Sequence, residues 1–180
     1  MSKVLTALLF LLFVSCTEEK VQPELVQNIA NGEIPAHESW NSKIIFTDEG
    51  NLKAILFTDH LKKYEMQKQT FLDGVKIDFY DKEEKVASRL TSLKGKVDDI
   101  TRDMYAIDSV VAVNDSGTVL RTDELMWRNK DQKIITDKFV SIKSSKEVIE
   151  GYGLESDQGL HNYVIFKPTY SATLTKSNNK

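Results

Sequence analysis

A polar turn flanked by short apolar runs returns three times at a spacing of about thirty residues, and this period restricts the fold more than any other feature. Val75, Val110 and Val140 each follow a short pair, Asp73-Gly74, Asp108-Ser109 and Lys138-Phe139, and open an apolar strand. Turns follow at Asp81-Lys82-Glu83-Glu84, Asn114-Asp115-Ser116-Gly117 and Ser144-Ser145-Lys146-Glu147. The return strands carry Leu90-Thr91-Ser92, Leu120-Arg121-Thr122 and Ile149-Glu150-Gly151. A fixed period of this size marks stacked supersecondary units, none able to bury its apolar face alone. The expected product is a long, open β-structure with a continuous apolar interior, which suits a greasy ligand.

From Lys43 onward the chain alternates with period 2 in short runs between polar turns, the pattern of antiparallel strands. Ile44-Ile45-Phe46 leads into the turn Asp48-Glu49-Gly50-Asn51, and Leu52 to Phe57 returns. Val75, Ile77 and Phe79 share one face, with Lys76, Asp78 and Tyr80 on the other; Val140 and Ile142 likewise oppose Ser141 and Lys143. Val110 to Val113 is apolar on both faces and should lie centrally. No helical period longer than three turns appears after residue 43, so the fold class is all-β.

The first residues set the address. Met1-Ser2-Lys3 is charged, Val4 to Val14 is an almost unbroken apolar run, and Phe13-Val14-Ser15-Cys16 closes it, the layout of a secretory signal over 1–15. The run is far short of the ~20 residues a membrane-spanning helix needs. Cys16 is the only cysteine, so it has no internal disulfide partner. The segment resembles a bacterial lipobox, in which such a cysteine is cut free and acylated; Phe13 in place of the usual leucine is the main departure. Two or three acyl chains, at ~0.8 kcal/mol per buried methylene, would anchor the protein to a bilayer. Residues 16–42, polar and holding Pro23 and Pro35, read as a tether, 43–174 as the folded part and 175–180 as a disordered tail. Of the 24 basic residues Lys3 leaves with the signal, so 27 acidic residues face 23 basic ones and the charge moves from −3 to about −4. No clustered basic excess points to nucleic acid.

Signals for chemistry are sparse. His37, His60 and His161 share no metal-ligand spacing, so no metal site is expected. Asp98-Asp99 and Glu83-Glu84 could serve as glycosidase carboxylates, but adjacent acids in a turn are far more often solvated turn residues. Gly95-Lys96 lacks the glycine and hydroxyl residue of a phosphate loop, and Gly151-Tyr152-Gly153 lacks a following helix. No serine sits in a nucleophile elbow. The sequence points away from an enzyme and from any cofactor.

An ordered set of motifs carries a family resemblance. Thr122-Asp123-Glu124-Leu125-Met126-Trp127, then Ile134-Ile135-Thr136-Asp137-Lys138-Phe139-Val140, then Ile149-Glu150-Gly151-Tyr152-Gly153-Leu154-Glu155-Ser156-Asp157-Gln158 resemble the periplasmic LptC family. Gly74-Val75 and Ser88-Arg89-Leu90-Thr91-Ser92 fit its earlier repeat, so the likeness runs over roughly residues 44–166. Gly151 and Gly153 match the family's glycine pair, while Lys138-Phe139 stands where lysine-proline is common. The resemblance implies an open, twisted β-jellyroll of stacked antiparallel hairpins. It implies lipopolysaccharide taken from an inner-membrane ABC transporter (LptB/LptF/LptG-like) and passed to a soluble LptA-like periplasmic jellyroll by edge-to-edge strand pairing. Family members usually carry an N-terminal transmembrane helix, where this chain has a lipobox.

On that reading Val75, Ile77, Phe79, Val110, Ala112, Leu120, Val140 and Ile142 line a lipid groove. Lys85, Arg89, Lys94, Arg121 and Arg128 stand as candidate rim cations for lipid phosphates. The open edges would serve partners: Ile44, Ile45 and Phe46 toward the transporter, and Asn162, Tyr163, Val164, Ile165 and Phe166 toward the next jellyroll. The expected location is the periplasmic face of the inner membrane, lipid-anchored through Cys16. Thr17 after the cysteine leaves sorting open, so an outer-membrane lipoprotein of the same fold, acting in envelope assembly or structure, stays an alternative. A secreted hydrolase acting on envelope glycans through Asp98 or Asp99 is the remaining one.

Overall fold

The computed structural model describes residues 34–174. Over these residues the chain forms nine antiparallel strands in one sheet, in the order of the sequence. They are β1 (His37–Asp48), β2 (Asn51–Tyr64), β3 (Gln69–Tyr80), β4 (Val86–Asp98), β5 (Met104–Asn114), β6 (Val119–Arg128), β7 (Lys133–Lys143), β8 (Glu147–Asp157) and β9 (Tyr163–Thr173). Every neighbour pair is a hairpin, so the repeat seen in the sequence is two strands long. β5, with its doubly apolar Val110–Val113, is the middle strand. β1 and β9 do not pair with each other, so the sheet stays open at both edges.

A seam of register breaks crosses the sheet near mid-strand. Pairing skips between Thr91 and Lys94, Ile107 and Val110, Thr122 and Met126, and Thr136 and Phe139. Gly74, Asp108, Ser109 and Gly153, all with positive φ, lie on this line. Bulges increase local bending and twist, and a row of them lets one sheet fold over as two facing half-sheets. Gly74 is required there, because a Cβ at φ +62° would also stand 2.0 Å from the Asp59 carboxylate. Phe79, on the β1–β2-turn side of the seam, packs at 6.1 Å from Trp127, on the other side, and Phe46 meets the same indole at 6.2 Å. Strands so far apart in the sheet, β1 and β3 against β6, touch only when the sheet is folded.

The folded-over halves bury one continuous apolar core that runs from Ala54 and Leu56 through Leu90, Ala112 and Leu125 to Leu154 and Leu160. Turns clamp its sides. The β8–β9 turn lies over the others: Gln158 Nε2 donates to the Tyr80 carbonyl at 2.7 Å, and Asn114 Nδ2 donates to the Leu160 carbonyl at 3.3 Å.

Three expectations are corrected. The folded part begins at His37 rather than Lys43, because Glu38 bonds His60 on β2 at 2.7 Å and Trp40 stacks on that imidazole. Asp73-Gly74, Asp108-Ser109 and Lys138-Phe139 do not open strands; they are mid-strand features at the seam. The last strand starts at Tyr163, not Asn162, and runs through Pro168 to Thr173. Proline is tolerated there because Pro168 sits on an edge strand at the register break beside Gly151.

Candidate functional site

All eight predicted groove residues face the interior and come together in the core. Val75, Ile77, Phe79, Val110, Ala112, Leu120, Val140 and Ile142 are each buried, none more than 4% exposed. All eight also lie on the same side of the seam, in one half-sheet. The facing half supplies Leu72, Val97, Met104, Ala106, Leu125, Trp127, Ile134 and Leu154, positions that the alternation did not assign to the lining. Side chains of the two halves fill the space between them, and clefts open at its two ends.

The cleft at the β1 end has a volume of about 340 Å³. Ile44, Phe46, Val97 and Trp127 form its apolar wall, and Lys53, Lys63 and Arg102 stand among its lining residues with Asp48, Asp98 and Asp99. Its polar atoms are poorly matched: the Trp127 Nε1–H and one oxygen of Asp99 are buried without a hydrogen-bond partner. The other Asp99 oxygen accepts from Thr70 Oγ1 at 2.9 Å. The unbonded one has the Lys63 ammonium 3.6 Å away.

The cleft toward the β9 end is larger, about 800 Å³, with Glu147, Glu155, Asp157, His161, Asn162 and Tyr163 among its residues. Here no lining side chain leaves a buried polar atom without a hydrogen bond. The Tyr163 hydroxyl donates to Glu147 at 3.1 Å, and burial together with that carboxylate raises the phenol's pKa. Asp157 accepts from the backbone of His161 and Asn162 and from the Asn162 side chain at 2.8 Å. Lys133 pairs with Glu155.

The two edge strands present both of their faces. Ile44 and Phe46 on β1, and Tyr163 and Ile165 on β9, pack against the core. Ile45, Val164 and Phe166 point out and are exposed. Asn162 belongs to the β8–β9 turn. β9 is held close to β8 by Gly151, where a Cβ would stand 2.4 Å from the Lys167 carbonyl oxygen.

The rim cations scatter. Arg89 bonds Asp78, Lys85 pairs with Glu83, Lys94 with Asp108, and Arg128 forks onto Asp131 at 2.6–2.8 Å. Arg121 lines an outer hollow with Ser141 and Lys143, away from the interior. The carboxylates weighed for hydrolysis hold structure. Asp98 Oδ1 accepts the backbone N–H groups of Ile100 and Thr101, which pull its pKa down, the opposite of what a general acid requires. His60 pairs with Glu38, and His161 with Asp115 at 2.8 Å.

Cys16, the signal, the tether before Ile34 and the tail 175–180 lie outside the described residues. No helix among the described residues is long and apolar enough to cross a membrane.

The chain matches the family described as lipopolysaccharide-assembly, LptC-related, over residues 4–165. It is a member of the LptC family. The match spans nearly all of the described sheet, and the open all-β jellyroll is the fold this membership implies. Membership assigns the protein to lipopolysaccharide transport in the cell envelope, among lipid-transport components rather than enzymes. No curated protein matches the chain.

Proposed function

We propose that this LptC-related protein is a lipid-anchored link that accepts lipopolysaccharide at its β1 end and passes it between the half-sheets toward its β9 end. Acylated Cys16 holds it at the periplasmic face of the inner membrane. An inner-membrane ABC transporter supplies the lipid and the energy, and an LptA-like jellyroll receives it. The observation that carries this reading is a continuous apolar interior that opens at the β1 end beside Phe46 and Trp127.

The physics favours such a route. Acyl chains in water gain ~25 cal/mol for each Å² of apolar surface they hide. The two half-sheets join along the seam, and β1 and β9 are not bonded to each other, so the halves can part without breaking a closed barrel. The eight residues Val75, Ile77, Phe79, Val110, Ala112, Leu120, Val140 and Ile142 would then exchange contacts with one another for contacts with the chain. That exchange is close to even, which keeps cargo mobile. Handing over to a second jellyroll uses the free backbone edge of β9, the strand-addition mode of recognition.

The test is photocrosslinking in cells. Probes at Phe46 and Phe79 should capture lipopolysaccharide only while the transporter hydrolyses ATP, and a probe at Val164 should capture a soluble jellyroll partner. Capture of neither would overturn the reading. Replacing Cys16 should release the protein from the membrane fraction.

A further inference from the structure

We infer that the β1-end cleft binds a hydroxyl or secondary amide carried on an apolar chain, held between the indole N–H of Trp127 and the carboxylate of Asp99. This inference rests on the proposed lipid route and specifies what its entrance recognises.

Trp127 is 4% exposed, and its Nε1–H is buried with no partner. An indole nitrogen can only donate, so this group calls for an acceptor. Asp99 Oδ2 is likewise buried without a hydrogen bond. Lys63, at 3.6 Å, offsets its charge but stands beyond hydrogen-bond reach, and an ionised carboxylate can only accept. Native proteins leave few buried polar atoms unpaired, and those that remain call for a role. Here a lone donor and a lone acceptor belong to residues that line one cleft of about 340 Å³.

The pairing selects the ligand class. A plain hydrocarbon would leave both atoms orphaned. A carboxylate or phosphate could accept from Trp127 but would bring a second negative charge to Asp99 with nothing to donate. A hydroxyl or secondary amide does both at once. The walls, Ile44, Phe46 and Val97, call for hydrocarbon on either side of that polar group. The remaining orphan, Gln158 Oε1, lies in the turn at the other end, away from this cleft.

The test compares dodecanoate with 3-hydroxydodecanoate by equilibrium dialysis on the full chain held in amphipol. The chain has two tryptophans, so Trp40→Phe makes Trp127 fluorescence the sole reporter of occupancy. The hydroxylated chain should bind about tenfold more tightly, equivalent to about 1.4 kcal/mol. That preference should fall to about one in Trp127→Phe, which keeps the ring, and in Asp99→Leu, while affinity for dodecanoate is retained. No preference in the parent protein would mean that water alone satisfies the two atoms, and would overturn the inference. A preference that survives both substitutions would do the same. If neither chain binds while lipopolysaccharide still crosslinks at Phe79, the inference falls and the lipid route stands; loss of that crosslink as well removes both.

Discussion

The β1 and β9 ends of this sheet are built from the same hairpin unit, yet they treat the polar atoms lining their clefts in opposite ways. At the β1 end the cleft walled by Phe46 and Trp127 has two buried polar atoms, one of them the indole's own N–H, without a hydrogen bond. At the β9 end Tyr163, Glu147, Asp157 and Asn162 satisfy one another, and the exposed apolar side chains Val164 and Phe166 point outward. An end that leaves interior groups unmatched is suited to a guest that matches them. An end whose cleft-lining groups are bonded to one another and whose strand stands bare is suited to a protein neighbour. The repeat therefore supplies the scaffold, and the two termini of the stack supply direction.

The largest effect should come from the aromatic wall. Trp127→Ala removes a side chain packed between Phe46 and Phe79 and should cost about 3–5 kcal/mol in denaturant unfolding. Tyr163→Phe at the opposite end should cost about 0.5–1.5 kcal/mol. Equal costs would break the contrast between the ends. Next, Gly151→Ala should lower stability by about 1–3 kcal/mol, because its Cβ would collide with the backbone of β9. Hydrogen exchange should then speed up in β9 and stay unchanged in β1. A Val164→Asp change should leave global stability within about 1 kcal/mol, since that side chain is exposed on an edge strand, yet abolish capture of the partner jellyroll. Ile45→Pro should leave that capture intact.

The smallest effect is one of pH. Asp98 is held ionised by the N–H groups of Thr101 and Ile100, Asp115 by His161, and Asp131 by Arg128. Each has a depressed pKa, so its contribution to stability is present above the ordinary carboxylate value of 3.8 and is lost as pH falls through the lower folded value. Thermal stability should be flat above about pH 5 and decline below about pH 4. The decline should be shallower in Asp98→Ala, whose carboxylate no longer titrates.

Alternation in the sequence disclosed one half-sheet and hid the other. Inward positions run Ala54, Leu56 and Thr58 on one side of the seam in β2, then shift parity to Leu61. The same shift separates Leu120 from Leu125 and Trp127 in β6, and Val75 from Leu72 in β3. Each bulge adds a residue, and one added residue turns a period-2 pattern to the other face. A reading that follows one phase finds Val75, Ile77, Phe79 and Leu120 and stops at the bend. Asp73-Gly74 and Asp108-Ser109 therefore look like strand starts, although their positive-φ backbone is the device that folds the sheet. The all-β class, the hairpin order and the free edges were legible, because turns and alternation are local. The gathering of Trp127 and Asp99 about one cleft was not, since it depends on the register that sets Val97 opposite Met104 and Met104 opposite Trp127 across two hairpins.

On the proposed route, lipid travels on the inward face and nowhere else. Photocrosslinking probes placed at inward Phe79 and Ala112 and at outward Lys76 and Val113, in cells with an active transporter, test it directly. Lipopolysaccharide adducts should form from the first two positions and none from the second two. Equal capture from both pairs, or capture only from the outward pair, would contradict it.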